Sequence, residues 1–200
     1  MNEKQYQDLV DGVKAYQVAL DTDLPNSALK RCIFPGSFNP LHAGHIEMVR
    51  QSFKLLSTRV WHEISIHNVE KSPLSWADLQ NRMEQPFAHE GCAGLLVSKC
   101  PTFESKAHIF PGATFIVGAD TINRISELRF YENQRHQESV FDLFKDHQCD
   151  FLVFGRKIEN RFRSSDLQLH PKLKTRCRFV DRSNFEIEIS SSQLRDQTKR

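Results

Sequence analysis

An α/β domain with a mainly parallel, doubly wound sheet and helices on both faces is the fold class this sequence predicts. Two observations carry it. Short apolar runs rich in β-branched and aromatic residues alternate with amphipathic helical stretches along most of the chain, the signature of successive strand–helix–strand units buried on both faces. Three of those runs also end in glycine followed within two residues by a polar group, at Pro35-Gly36-Ser37, Val117-Gly118-Ala119-Asp120 and Phe154-Gly155-Arg156. Open sheets of this Rossmann-like type bind ligands beyond their C-terminal strand ends, at the switch point of strand order. Ser37, Asp120 and Arg156 are therefore expected around one crevice.

The elements follow in order. Tyr6, Leu9, Val10, Val13, Tyr16 and Leu20 recur by threes and fours, which predicts an amphipathic helix over 3–20 ahead of the domain. Residues 21–26, with Pro25, read as a linker, so residues 1–28 are taken as an N-terminal helical extension and 29–200 as the domain. Leu29 to Phe34 is the first strand. Ile46, Val49, Phe53 and Leu56 share one face of a helix over 43–56, with Glu47, Arg50, Gln51 and Lys54 opposite. Val60–Ile66 is a second strand, Ser75 caps a helix running to about His89, and Ala93–Ser98 is a third strand. A short helix over 103–110 stops at Pro111-Gly112. The strand Thr114–Gly118, one or two helices within 120–147, and the strand 151–155 come next. Cys177–Val180 and Glu186–Ile189 are short strands, and Ser190-Ser191-Ser192 opens a last helix.

Bulk properties remove several classes. With 39% hydrophobic and 26% charged residues, the chain has the composition of a soluble globular protein. No apolar run approaches the ~20 residues of a membrane helix, and the first 30 residues lack the apolar middle of a secretory signal. A net charge of +2 gives no electrostatic footprint for nucleic acid. Cys32, Cys92, Cys100, Cys149 and Cys177 are odd in number, scattered and without a C-x-x-C pair. They are expected to be reduced thiols of a cytoplasmic protein.

Residues 34–45, Phe-Pro-Gly-Ser-Phe-Asn-Pro-Leu-His-Ala-Gly-His, are where chemistry is legible. A strand, a glycine turn and a helix N-terminus make an anion site, because unpaired backbone N–H groups converge there. His42 and His45 stand at the helix start with Gly44 between them. Metal-binding helical pairs stand four apart on one face; these stand three apart, the other seven histidines are scattered, and no metal ligands are assigned. A phosphate cradle with two imidazole donors is expected. At the other end of the chain, Ser191 and Ser192 offer hydroxyls at a helix start, and Arg195, one turn in, offers a forked guanidinium for phosphate oxygens.

The string Gly-Ser-Phe-Asn-Pro-Leu-His-Ala-Gly-His resembles the His-x-Gly-His signature of a nucleotidyltransferase superfamily, in the version of the nicotinamide/nicotinate mononucleotide adenylyltransferases. Ile189-Ser-Ser-Ser-Gln-Leu-Arg195 is similar to that family's C-terminal Ile-Ser-Ser-(Ser/Thr)-x-x-Arg block. The likeness covers roughly residues 30–196 and is sharpest at its two ends; the central loops do not reproduce a familiar pyridine pocket. It implies transfer of the adenylyl group of ATP to a mononucleotide, with Mg²⁺ accompanying ATP and no covalent enzyme intermediate. It implies His45, His42 and Arg195 as catalytic groups. Gly36, Ser37, Phe38, Gly118, Asp120, Arg156, Ser191 and Ser192 would bind the nucleotide, and Lys71, Trp76 and Arg82 the acceptor. Partners would be ATP and a mononucleotide, with no nucleic acid or membrane; a homo-oligomer is compatible. Two rivals stay open: the same fold with another phosphorylated acceptor, and a non-catalytic nucleotide-binding regulatory module.

Overall fold

The computed structural model describes residues 1–21, 31–67, 72–158, 161–163 and 167–180. Helix α1 (Glu3–Val10) and strand β1 (Tyr16–Asp21) precede β2 (Cys32–Pro35), α2 (Ala43–Leu56), β3 (Val60–Ser65), α3 (Trp76–Met83) and β4 (Cys92–Ser98). Then come α4 (Phe103–Ile109), β5 (Thr114–Gly118), α5 (Ala119–Ser126), a 3-10 turn at Leu128–Phe130, α6 (Gln134–Asp146) and β6 (Asp150–Phe154). A hairpin of β7 (Arg156–Ile158) and β8 (Arg161–Arg163), α7 (Pro171–Lys174) and β9 (Cys177–Val180) follow among the described residues. The segment expected as the strand 186–189 and the final helix lies outside the described residues.

Seven strands form one sheet in the order β1-β4-β3-β2-β5-β6-β9. All neighbours are parallel except β1, which runs antiparallel to β4 at the edge. From β2 the chain steps outward to β3 and β4, then returns to lay β5 on the other side of β2. The direction of winding reverses between β2 and β5, which makes the fold Rossmann-like and puts the switch point there.

Strand residues alternate between two cores, as a period of two requires. Phe34, Ile64, Leu95, Val97, Ile116 and Leu152 pack with Val49 of α2 on one face. Ile33, Leu96, Phe115, Val117, Phe151 and Val153 pack with Phe141 and Phe144 of α6 on the other. Burial on both faces is why these strands read as unbroken apolar runs. Each such side chain contributes about 1.5–3 kcal/mol of burial. Among the described residues, one charged pair shares this interior: Lys106 of α4 donates to Glu63 Oε1 of β3 at 3.0 Å, and Ser98 Oγ donates to the same oxygen. Breaking a buried pair like this by removing one partner costs about 3–5 kcal/mol.

The helix expected over 3–20 is corrected. It ends at Val10, and Gly12 follows with φ +74, a left-handed turn that stops a helix and favours glycine. Beyond it Tyr16–Asp21 is an edge strand paired with β4 from Tyr16↔Ser98 to Asp21↔Gly94. The N-terminal segment is thus not purely helical, and its residues 16–21 belong to the sheet. Leu9 is fully buried, and the Tyr6 hydroxyl donates to the Leu74 carbonyl at 2.8 Å.

Candidate active site at the switch point

The crevice opens because one ladder stops early. β2 pairs with β3 through Pro35↔Glu63, yet with β5 only through Ile33↔Phe115. β5 continues alongside β6 to Gly118↔Phe154. Past Ile33 the two central strands part, so the loop after β2 and the turn into α5 form opposite lips.

The β2 lip is held from beneath. Gly36 N–H donates to the Glu63 carbonyl at 2.9 Å. Phe38 takes a left-handed φ of +42 and is fully buried, an uncommon conformation for a bulky residue that surrounding packing must enforce. Its ring stands edge-on to those of Phe34, His45, His62 and Phe87, at centroid distances of 5.3, 5.0, 4.9 and 5.7 Å. A Cβ on Gly36 would come within 2.7 Å of that ring, so the glycine is there for Phe38. The Gln85 carboxamide clamps the loop from the other side, donating to the Phe38 carbonyl at 2.5 Å and accepting from Leu41 N–H. Arg82 donates to the Ser37 carbonyl at 2.9 Å.

One expected role changes accordingly. The Phe38 ring lies in the core, so this residue shapes the loop and can offer a ligand only its backbone. Arg82, expected on the acceptor, places one of its guanidinium N–H groups on the loop carbonyl. Ser37 is exposed on the lip. Gln85 was not anticipated, since a lone Gln just past a helix carries no sequence signal.

The histidines lock each other. His42 is the N-cap of α2, and its Nδ1 accepts from Gly44 N–H at 3.1 Å. His45, at the third helical position, turns its own Nδ1 back to accept from His42 N–H at 3.3 Å. This is a capping box made of two imidazoles, with rings stacked at 3.7 Å and 22°. Because each Nδ1 accepts, each neutral ring must carry its proton on Nε2. Burial, followed by the neighbouring His42, pushes the His45 pKa down to about 3. His45 is therefore a neutral Nε2–H donor at ordinary pH. The expected cradle of unpaired backbone amides is revised here. His42 and Gly44 N–H bond the rings, while His45 and Ile46 N–H reach the His42 carbonyl at 2.9 and 3.2 Å. These backbone amides are already bonded within the loop, and the ring nitrogens are the donors left to weigh.

The β5 lip differs. Gly118 caps α5 with φ −80 and makes no side-chain cap bond, and a Cβ placed on it would meet nothing within 4 Å. Asp120 is exposed in the first turn of α5, where a carboxylate suits the helix dipole. Trp76 packs 5.5 Å from the Tyr6 ring, a contact with α1 that favours a packing role over stacking on a ligand. Arg156 begins β7 just past the β6 end. Lys71, Ser191, Ser192 and Arg195 lie outside the described residues.

The histidines are less scattered than expected. His62 of β3, His89 of the α3–β4 loop and Cys92 of β4 converge behind the Phe38 loop. Residues 27 and 30 positions from His62 give no local pattern, and only the pairing of β3 with β4 reveals them.

Comparison with known proteins adds the following. The model of the cytidylyltransferase-like family matches residues 33–197. No curated protein matches in sequence. Among solved structures the chain is similar to the Plasmodium falciparum nicotinic acid mononucleotide adenylyltransferase complexed with NaAD, at 17% identity and a TM-score of 0.50. That likeness covers 84% of this chain and 83% of the other, and it speaks to fold. No helix among the described residues is long and apolar enough to cross a membrane.

Proposed function

The chain belongs to the cytidylyltransferase-like family, and from that premise we propose that it transfers the adenylyl group of ATP to nicotinamide or nicotinate mononucleotide, releasing pyrophosphate. The observation that carries this is the reciprocal capping of His42 and His45, which fixes both rings through Nδ1 and makes Nε2 the proton-bearing nitrogen of each neutral ring. Donors fixed before charge develops need no reorganisation during reaction, which is the main source of electrostatic catalysis.

In the proposed reaction a 5′-phosphate oxygen of the mononucleotide forms a bond to the α-phosphorus of ATP. The bond from that phosphorus to the bridging oxygen breaks, and the electron pair leaves with pyrophosphate. His45 and His42 donate to phosphate oxygens where negative charge builds. Arg195, Ser191 and Ser192 are assigned to the phosphates that depart. Gly36 and Ser37 border the phosphates, Gly118 and Asp120 the ribose and base region, and Arg156 the triphosphate or adenosine. Lys71 stays with the acceptor. Mg²⁺ arrives with ATP as part of the substrate and neutralises triphosphate charge, which asks for few protein ligands. The protein's contribution is positioning and charge stabilisation, with no side-chain nucleophile required.

Pyrophosphate release from Mg-ATP and Mg-CTP, each offered nicotinate mononucleotide, nicotinamide mononucleotide, phosphopantetheine and phosphocholine, tests this. ATP with a pyridine mononucleotide should be the productive pair. Release only with another pair would reassign the acceptor or nucleotide, and calorimetric ATP binding with no release across the panel would make the protein a sensor.

A further inference from the structure

We propose that His62, His89 and Cys92 form a transition-metal site, of the kind that takes Zn²⁺, directly behind the catalytic loop. Nothing in the adenylyl-transfer reading uses these residues. One donor atom from each lies within 4.8 Å of the other two, and Cys92 Sγ stands 3.4 Å from His62 Nδ1. That separation is close to the edge of a tetrahedron with metal–sulfur and metal–nitrogen bonds of about 2.3 and 2.0–2.1 Å.

Two further observations point to a ligand. His89 Nε2 is buried and without a hydrogen-bond partner among the described residues, while its Nδ1 meets the Glu90 carbonyl at 3.3 Å, so Nε2 is the nitrogen this ring turns to a ligand; buried imidazole nitrogens left unpaired call for an explanation. The second is the backbone between His89 and Cys92. Gly91 takes φ +82, and Cys92 N–H donates to the His89 carbonyl at 3.0 Å, so a tight turn folds the His-x-x-Cys pair onto one point. β3 delivers the third donor, since Val60 pairs with Cys92 and His62 with Leu95.

Two nitrogens and a sulfur suit Zn²⁺ and leave one position for water or a substituent. The site's neighbours give it a purpose. The His62 ring is 4.9 Å from both Phe38 and Phe87, and the segment ending at His89 also carries Gln85, which clamps residues 38 and 41. A metal here ties that segment to β3 and stiffens the support of the β2 lip.

The experiment uses the full chain, stripped with chelator, and titrated with Zn²⁺ by calorimetry and with Co²⁺ by absorption. Wild type should take one equivalent of Zn²⁺, raising its thermal midpoint by roughly 5–10 °C at saturating metal. Co²⁺ should give a thiolate-to-metal charge-transfer band. Cys92→Ser should abolish that band, His89→Ala should weaken Zn²⁺ binding by roughly 100-fold or more, and His108→Ala, at an exposed histidine, should change neither. No saturable binding by wild type, or a Co²⁺ spectrum without the thiolate band, overturns the proposal whether or not the variants fold. Equal binding by wild type, Cys92→Ser and His89→Ala overturns it too. None of these readouts depends on adenylyl transfer.

Discussion

Both lips of the crevice carry a glycine at a strand end, and the two glycines are there for opposite reasons. Gly36 on the β2 lip is dictated from inside, because the Phe38 ring occupies the space a Cβ would take, 2.7 Å away. Gly118 on the β5 lip has an ordinary φ of −80 and open space above it, so neither packing nor backbone conformation requires it. The β2 lip is over-determined by protein contacts: the Gln85 clamp, the Arg82 bond and the Phe38 cluster all fix it before a ligand arrives. The β5 lip leaves its constraint to whatever enters the crevice. One lip supplies preorganisation and the other supplies room.

Removing His45 from the rigid lip should have the largest effect. His45→Ala deletes one Nε2–H donor, the acceptor that holds His42 N–H and the ring stacked on that of His42, so the partner ring loses its packing as well. Loss of one preorganised donor costs about 10²–10³ in turnover, and the coupled loss should reach the upper end with the fold intact. Turnover within a few-fold of wild type would end the catalytic role of the pair.

The glycines can then be set against each other. Gly36→Ala pushes a methyl into the Phe38 ring and should destabilise the fold by about 1–3 kcal/mol, the usual cost of overpacking. Gly118→Asn should do the reverse: asparagine is a better N-cap than glycine and should leave stability unchanged or raised by a few tenths of a kcal/mol. The same carboxamide occupies the open side, so ATP binding should weaken about tenfold, roughly 1.4 kcal/mol. Urea unfolding and calorimetry on both variants decide the matter. A Gly118→Asn protein that binds ATP as wild type does would show that the space over the β5 lip is not ligand space.

The rigid lip and the main strands were legible because their signals are local. α2 and β5 have the bounds the sequence predicts, 43–56 and 114–118, since an amphipathic period and a bounded apolar run speak for themselves. β1 was missed because Tyr16 and Leu20 fit a helical period begun at Tyr6, while Tyr16, Val18 and Leu20 equally fit a period of two. Gly12 decides between them, and a single glycine is a weak stop signal in sequence. Phe38 was placed on the nucleotide because it belongs to the Gly-Ser-Phe-Asn-Pro string that carries the resemblance, and its positive φ and inward ring have no signal in sequence. The His62, His89 and Cys92 cluster is non-local by construction, assembled by strand pairing and a turn.

The smallest effect distinguishes the lips by proton uptake. The folded chain holds His45 neutral down to about pH 3, against 6.5 for a solvated imidazole. Between those values the unfolded chain binds a proton at this position that the folded chain does not. Its contribution to stability is therefore complete above about pH 6.5 and declines as the pH falls toward 3. His45→Gln keeps a side-chain acceptor at the third helical position, where glutamine serves in ordinary capping boxes, and removes the titration. The slope of unfolding free energy against pH between 6 and 4 should then be shallower in His45→Gln than in wild type by about 1 kcal/mol per pH unit. Gly118→Asn, on the other lip, should keep the wild-type slope. Parallel slopes for wild type and His45→Gln would mean that His45 is solvated in the folded protein, and the neutral-donor state assigned to the β2 lip would fall with it.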